Sequence, residues 1–270
     1  MTTPGEHSID VEHGRIQVDT SGSGPEFVIL HSLLTGPEAF DRVAASLSKD
    51  RTVHRIHLPG FGASTRLPST SISVADLADV VAAAMKGLGC GPDTVVLGNG
   101  LGSFVALSLA VRHGSRFGDL IASNTGPGFP RERKGAFHKM AETAERGGMK
   151  EVADVAVARI FPPSYVEAHP EATAQRRAVL EGIDPVAFAA ACRALAMLDL
   201  SEDLTRIRNR TLVVVGGIDQ TTPPEMGMGV AAAIPDAGIA EIPDCGHCPQ
   251  LEKPEALVAA IEHFLGDRTP

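Results

Sequence analysis

Short apolar runs alternate along this chain with segments whose apolar residues recur at helical spacing. Ser8 to Glu12 and Arg15 to Asp19 read as two short strands joined by a turn at His13-Gly14. Phe27-Val28-Ile29-Leu30 is a continuous apolar run, preceded by the turn signal Ser21-Gly22-Ser23-Gly24-Pro25. The stretches 52–58, 94–97, 120–123, 211–215 and 239–242 read as further strands. Between them, Pro37 to Leu47 has helical spacing, with Phe40, Val43 and Leu47 on one face and Pro37 suited to a first turn. Ser73 opens a second helix as N-cap, with Asp76 three residues on, and that helix ends near Gly87 to Gly91. A third helix runs to about His113, and Pro254 to Leu265 forms a last one. Strands alternating with helices predict an α/β fold, a mainly parallel sheet covered by helices on both faces.

From Phe129 to Arg210 the pattern changes to helical segments with no convincing strand. Asp184-Pro185 opens one of them, with Phe188, Cys192 and Leu195 on one face. This predicts a core domain from residues 1–128 and 211–270. Residues 129–210 form a helical cap (lid), inserted before the late strands, over their carboxyl ends.

The bulk numbers narrow the function. A length of 270 residues allows one large domain, and 43% hydrophobic with 21% charged residues is ordinary for a globular chain. The net charge of −9 argues against nucleic acid or an anionic membrane as partner, since both need basic patches. With no Trp and Tyr165 as the lone Tyr, the expected pocket is apolar with little aromatic stacking. No segment is apolar enough to span a bilayer, and Met1 to Glu12 lacks a secretory pattern, so a cytoplasmic location is expected. Cys90, Cys192, Cys245 and Cys248 do not suggest a disulfide scaffold in a chain this long.

Three loops after strands carry the candidate chemistry. The first is Gly98-Asn99-Gly100-Leu101-Gly102, between an apolar run and a helix. The second, Gly216-Gly217-Ile218-Asp219-Gln220, follows Val213-Val214-Val215. The third is Asp244-Cys245-Gly246-His247-Cys248. Strand, G-x-S-x-G, helix is a nucleophile elbow, but here its middle position is Gly100, which has no side chain. The order is nucleophile position, acid, histidine. In that order Asp219 orients His247, and His247 serves as general base and then acid.

With these loops the chain resembles α/β-hydrolases with a helical cap. The segments DPVAFAAACRALAMLDLSEDLTRI, TLVVVGGID, TTPP and CGHCPQLEKPEAL are most similar to 3-oxoadipate enol-lactonases. The elbow with Asn99 also resembles carbon–carbon-bond hydrolases and esterases, whose pattern reads GNSLG or GNSMG. The resemblance implies an oxyanion hole from the backbone N–H groups of Leu33 and Leu101, and puts Ser32 where relatives usually have glycine. Ser32 and Asn99 are candidate substrate-binding residues. Gly100 departs from the pattern and removes the covalent acyl-enzyme route. The function implied is hydrolysis of a small lactone, ester or activated carbon–carbon substrate, with a water activated by His247 in place of the nucleophile. The alternatives left open are a non-catalytic binder of small ligands, a serine hydrolase inactivated by Ser→Gly replacement, and lyase or proton-transfer chemistry at His247. No cofactor or metal is expected, and the oligomeric state is open.

Several residues have blander readings. Ser32 is more often a loop hydroxyl bonding local backbone than a substitute nucleophile, and Ser103, beyond the elbow on its helix, is weaker still. Cys245-Gly246-His247-Cys248 spells C-x-x-C, but it follows a late strand and has no second ligand cluster, against both redox and zinc roles. The run Arg131-Glu132-Arg133-Lys134, with His138 and Lys139, reads as a solvated helix face. Turned toward the cleft, it would pair with a substrate carboxylate.

Overall fold

A computed structural model describes residues 5–267, so the outermost ends of the expected core segments and Met1 to Pro4 lie outside it. Eight strands form one sheet: β1 (Gly5–Val11), β2 (Gly14–Gly22), β3 (Glu26–Leu30), β4 (Thr52–Ile56), β5 (Val95–Asn99), β6 (Leu120–Ser123), β7 (Thr211–Gly216) and β8 (Ala237–Ile242). Their spatial order is β1-β2-β4-β3-β5-β6-β7-β8. β2 pairs antiparallel with both β1 and β4, and every later pairing is parallel.

The helices are α1 (Asp41–Leu47), α2 (Val74–Leu88), α3 (Leu101–His113), α4 (Arg131–Gly147), α5 (Met149–Ile160), α6 (Pro163–Ala168), α7 (Pro170–Glu181), α8 (Pro185–Met197), α9 (Pro224–Ala233), α10 (Pro249–Glu252) and α11 (Pro254–Gly266). The single helix expected over 37–47 is a 3₁₀ turn, Pro37–Phe40, followed by α1. α9 follows the acid loop; its five small residues among ten, Gly227, Gly229, Ala231, Ala232 and Ala233, give it a weak apolar stripe in the sequence. Among the described residues no helix is long and apolar enough to cross a membrane.

Strand side chains alternate between two buried faces. Val28, Leu30, Val96, Ala122, Val213 and Val215 pack on one side with α2 and α3. Phe27, Ile29, Leu97, Ile121, Leu212 and Val214 pack on the other with α1 and α11. Burial on both faces is why these strands read as continuous apolar runs rather than as alternating ones.

Local chemistry sets the helix ends. Ser73 Oγ accepts from Asp76 N–H while Asp76 accepts from Ser73 N–H, a reciprocal cap at the start of α2. Asp184 accepts from the N–H groups of Val186 and Ala187 and opens α8. Helices α4 to α8 lie between β6 and β7, and the two ends of that excursion meet, with Leu200 N–H donating to Pro127 O at 2.6 Å. Parallel pairing aligns the carboxyl ends of neighbouring strands: Asn99 lies beside Ser123, and Ser123 beside Val214. The loops after β5, β6, β7 and β8 therefore converge at one edge of the sheet.

Candidate active site

Asp219 and His247 meet at that edge. Both are buried, and His247 Nδ1 lies 2.8 Å from Asp219 Oδ2. Asp219 Oδ1 accepts from the N–H groups of Thr221 at 2.8 Å and Thr222 at 3.2 Å. Its Oδ2 also accepts from Thr222 Oγ1 at 2.7 Å and Asn124 Nδ2 at 2.9 Å. Burial alone would raise this carboxyl. The charge of His247 and the hydrogen bonds from His247, Asn124 and Thr222 outweigh it, holding the group at about 2 against an ordinary 3.8. Asp219 is thus a fixed anion at neutral pH, which keeps the proton of the histidine on Nδ1 and leaves the lone pair of Nε2 facing Gly100.

The histidine loop is built around a second carboxylate. Glu252 accepts from the N–H groups of Gly246 at 2.8 Å and Cys248 at 3.0 Å. This explains the C-x-x-C loop without redox chemistry. Cys245 and Cys248 are buried, free thiols, both pushed up by burial.

Asn124 is a site residue that the motifs did not reveal. It has φ +52°, unusual for any residue but glycine. Its Nδ2 donates to both Asp219 and Gly246 O, tying the acid loop to the histidine loop. The one available signal was its place directly after β6, where a polar side chain ends an apolar strand.

Asn99, expected to touch a ligand, faces elsewhere. It is buried, its Nδ2 donates to His247 O at 3.1 Å, and its Oδ1 accepts from Gln250 Nε2 at 2.9 Å. A side chain one residue before a sharp turn points to the opposite side of the strand from the turn's own side chain. Here that side is the underside of the histidine loop.

Gly100 holds φ +54° and ψ −120°, a backbone that costs other residues strain. The flanking Gly98 and Gly102 are needed for packing, since a Cβ on either would lie 2.2 Å from a backbone oxygen. Gly100 differs. A Cβ there would meet only side chains: Ser32 Oγ at 2.2 Å and His247 Nε2 at 3.0 Å. The histidine is therefore aimed at the elbow position, and the Ser32 hydroxyl lies where a side chain on residue 100 would begin.

The loop that carries Ser32 is clamped by His31. Leu58 N–H donates to His31 Nε2 at 3.1 Å, so Nδ1 holds the proton and donates to Ser32 O at 2.9 Å. Burial pushes His31 down to about 4, and the ring stays neutral. No hydrogen bond engages the N–H of Leu33, and Leu101 opens α3, whose first N–H groups have no intrahelical partner.

A cavity joins these parts. It is lined by Ser32, Leu33, Gly100, Leu101 and His247, and by Phe104, Phe129, Phe137, Met140, Arg159 and Leu195. The centre of a water can move through about 20 Å3 of it, room for a water or two. Three phenylalanines wall it, with Phe129 4.6 Å from Phe137 and 5.3 Å from Phe104 between ring centroids. The lining is more aromatic than composition suggested, because the few rings are gathered at one place. Of the basic run, Arg133 donates to the carbonyls of Gln220 and Thr221, and none of the run lines the cavity.

Among the described residues, potential metal ligands gather in one place, away from this cavity. Donor atoms of Glu26, His54 and Cys90 lie within 4.8 Å of one another. His54 Nε2 bonds Glu26 at 2.6 Å, and burial pushes the Cys90 thiol up to about 12, so the trio stands as a hydrogen-bonded pair beside a protonated thiol.

Known proteins fit this geometry. The model of the Alpha/beta hydrolase family matches residues 27–260. A pimeloyl-[acyl-carrier protein] methyl ester esterase of Aromatoleum aromaticum is 27% identical over 89% of this chain and 98% of its own. A 3-oxoadipate enol-lactonase of Acinetobacter baylyi is 26% identical over 64% of each chain. The solved enol-lactonase of Burkholderia xenovorans superposes with a TM-score of 0.89 and 26% identity, over 97% of this chain and 100% of that one.

Proposed function

Because the chain belongs to the alpha/beta hydrolase family, we propose that it hydrolyses a small ester, lactone or activated carbon–carbon bond by direct attack of water. The observation that carries this is the aim of His247 Nε2, 3.0 Å from the place where a nucleophile's Cβ would stand on Gly100. His247 takes a proton from the water as its oxygen bonds to the carbonyl carbon. The N–H groups of Leu33 and Leu101 hold the developing oxyanion. His247 then returns the proton to the leaving group, and Asp219 stabilises the imidazolium between the two transfers. The Ser32 hydroxyl is a hydrogen-bonding partner for that water. The relatives that are esterases and enol-lactonases support carboxylic esters and lactones as the substrate class. Helices α4 to α8 act as a lid, since the cavity wall draws on α4, α5 and α8.

The test is turnover of a panel of small esters and lactones in ¹⁸O-labelled water. The expected result is label in the acid product, rates that depend on His247, and no burst of one product per site. Binding without product would establish the second reading, a ligand-binding homologue. That reading is favoured by the Ser32 hydroxyl lying at the elbow position.

A further inference from the structure

One cation in the cavity wall has no anion to pair with. Arg159, near the carboxyl end of α5, is half-buried and lines the cavity together with Gly100 and His247. Its neighbours in charge are Arg133, which repels it, and the Cys192 thiol; burial acts against its charged form. Among the described residues no carboxylate pairs with it. Arg176, Arg193 and Arg210 each have one, Glu38, Glu145 and Asp119 respectively.

The position of Arg159 is fixed by its main chain. The last carbonyls of a helix lack intrahelical partners, and here the site loops supply them. Arg159 O accepts from Thr221 Oγ1 at 2.8 Å, and Ile160 O accepts from His247 N–H at 3.3 Å. The backbone of Arg159 is thereby held at a set place relative to Asp219 and His247, and its side chain shares the cavity wall with Phe129, Phe137 and Met140. A guanidinium held among apolar side chains without a counter-charge costs stability. No carboxylate among the described residues offsets that cost, and an anionic ligand would.

We infer that Arg159 is the seat of a carboxylate on the ligand, so that the substrate is a small ester or lactone carrying a free carboxylate. This rests on the hydrolytic reading above for the word substrate, but not for the anion site itself. The planar guanidinium suits a carboxylate because it can donate two parallel hydrogen bonds. Seating the anion there holds the far end of the ligand while the scissile carbonyl lies at Gly100.

The experiment compares monomethyl glutarate with its neutral isostere, methyl glutaramate, on the whole protein. The expected kcat/KM ratio is about tenfold or more in favour of the acid. Arg159→Met brings the ratio to about one, while Arg159→Lys keeps part of the preference. A wild-type ratio near one overturns the proposal, as does a ratio that Arg159→Met does not move. The wild-type comparison needs no variant to fold. If neither ester is hydrolysed, calorimetry with glutarate decides the anion site independently of the hydrolytic reading. Binding weakened about tenfold or more by Arg159→Met upholds it. No binding, or binding indifferent to that change, overturns it.

Discussion

The two halves of the site are built on opposite terms. The acid–histidine half is over-determined: Asp219 accepts from two backbone N–H groups, Thr222, Asn124 and His247, and Glu252 pins the loop from below. The elbow half keeps the backbone of a nucleophile turn but carries no side chain at Gly100, and a hydroxyl from another loop stands close by. The proposed proton transfer has its full support in place, and residue 100 has no atom with which to form a covalent intermediate. A pure binder has no need of a buried anion held at about 2 beside a histidine, so the contrast favours chemistry in which protons move and no acyl-enzyme forms.

The largest expected effect breaks the first half. His247→Ala lowers kcat by about 10²–10⁴-fold, measured on whichever ester turns over fastest. An unchanged rate would mean that the acid–histidine half is structural.

Acid separates the halves by stability. His31, in the elbow half, has its folded value lowered to about 4 from 6.5. Its contribution is complete above pH 6.5 and is lost as pH falls toward 4, because the unfolded chain binds the extra proton first; the full loss is about 3 kcal/mol. Asp219 is lowered to about 2 from 3.8, so its contribution is present above 3.8 and lost only below that. Urea unfolding at pH 7, 5 and 4 should show the first loss, and His31→Asn should flatten that window.

Restoring the missing side chain sharpens the comparison further. Gly100→Ser alone meets Ser32 Oγ at 2.2 Å from its Cβ. Paired with Ser32→Gly, it should gain a burst of one product per site and a rise in esterase rate of about tenfold or more. Stopped-flow measurement of a chromogenic ester reads both. A gain equal in the single and double variants would show that Ser32 is not in the way.

The smallest effect concerns the link between loops. Asn124→Gly keeps the positive φ and removes the bonds to Asp219 and Gly246. It should lower kcat about tenfold with KM little changed, since about 1–3 kcal/mol of hydrogen bonding orients the acid. Steady-state kinetics on one ester separates the two constants.

The legible parts of this molecule are those whose cause is local. Apolar runs marked β3, β5, β6 and β7 because both faces of these strands are buried, whereas β1 and β2, partly exposed, were marked by the turn at His13-Gly14, and Ser73 and Asp184 announced their helices through caps that span three residues. The three site loops stood out because a strand end, a glycine and a polar residue coincide in each. What escaped depends on contacts far apart in sequence. Ser32 meets residue 100 only once β3 and β5 pair, and Asn99 turns out to serve the histidine loop rather than a ligand. No local motif marks Arg159, whose place in the cavity wall comes from the end of α5 lying against the acid loop. α9, with its small residues, lacked the periodic signal that marks a helix.

The bonds from α5 to the acid and histidine loops make two distant parts of the fold into one mechanical unit. Arg159 O accepts from Thr221 Oγ1, and Ile160 O accepts from His247 N–H. Any displacement of α5 from the sheet breaks both bonds, so the placing of that helix and the placing of the histidine are a single property. The His247 amide is thereby a reporter on α5: its rate of hydrogen exchange reads how firmly the helix is held.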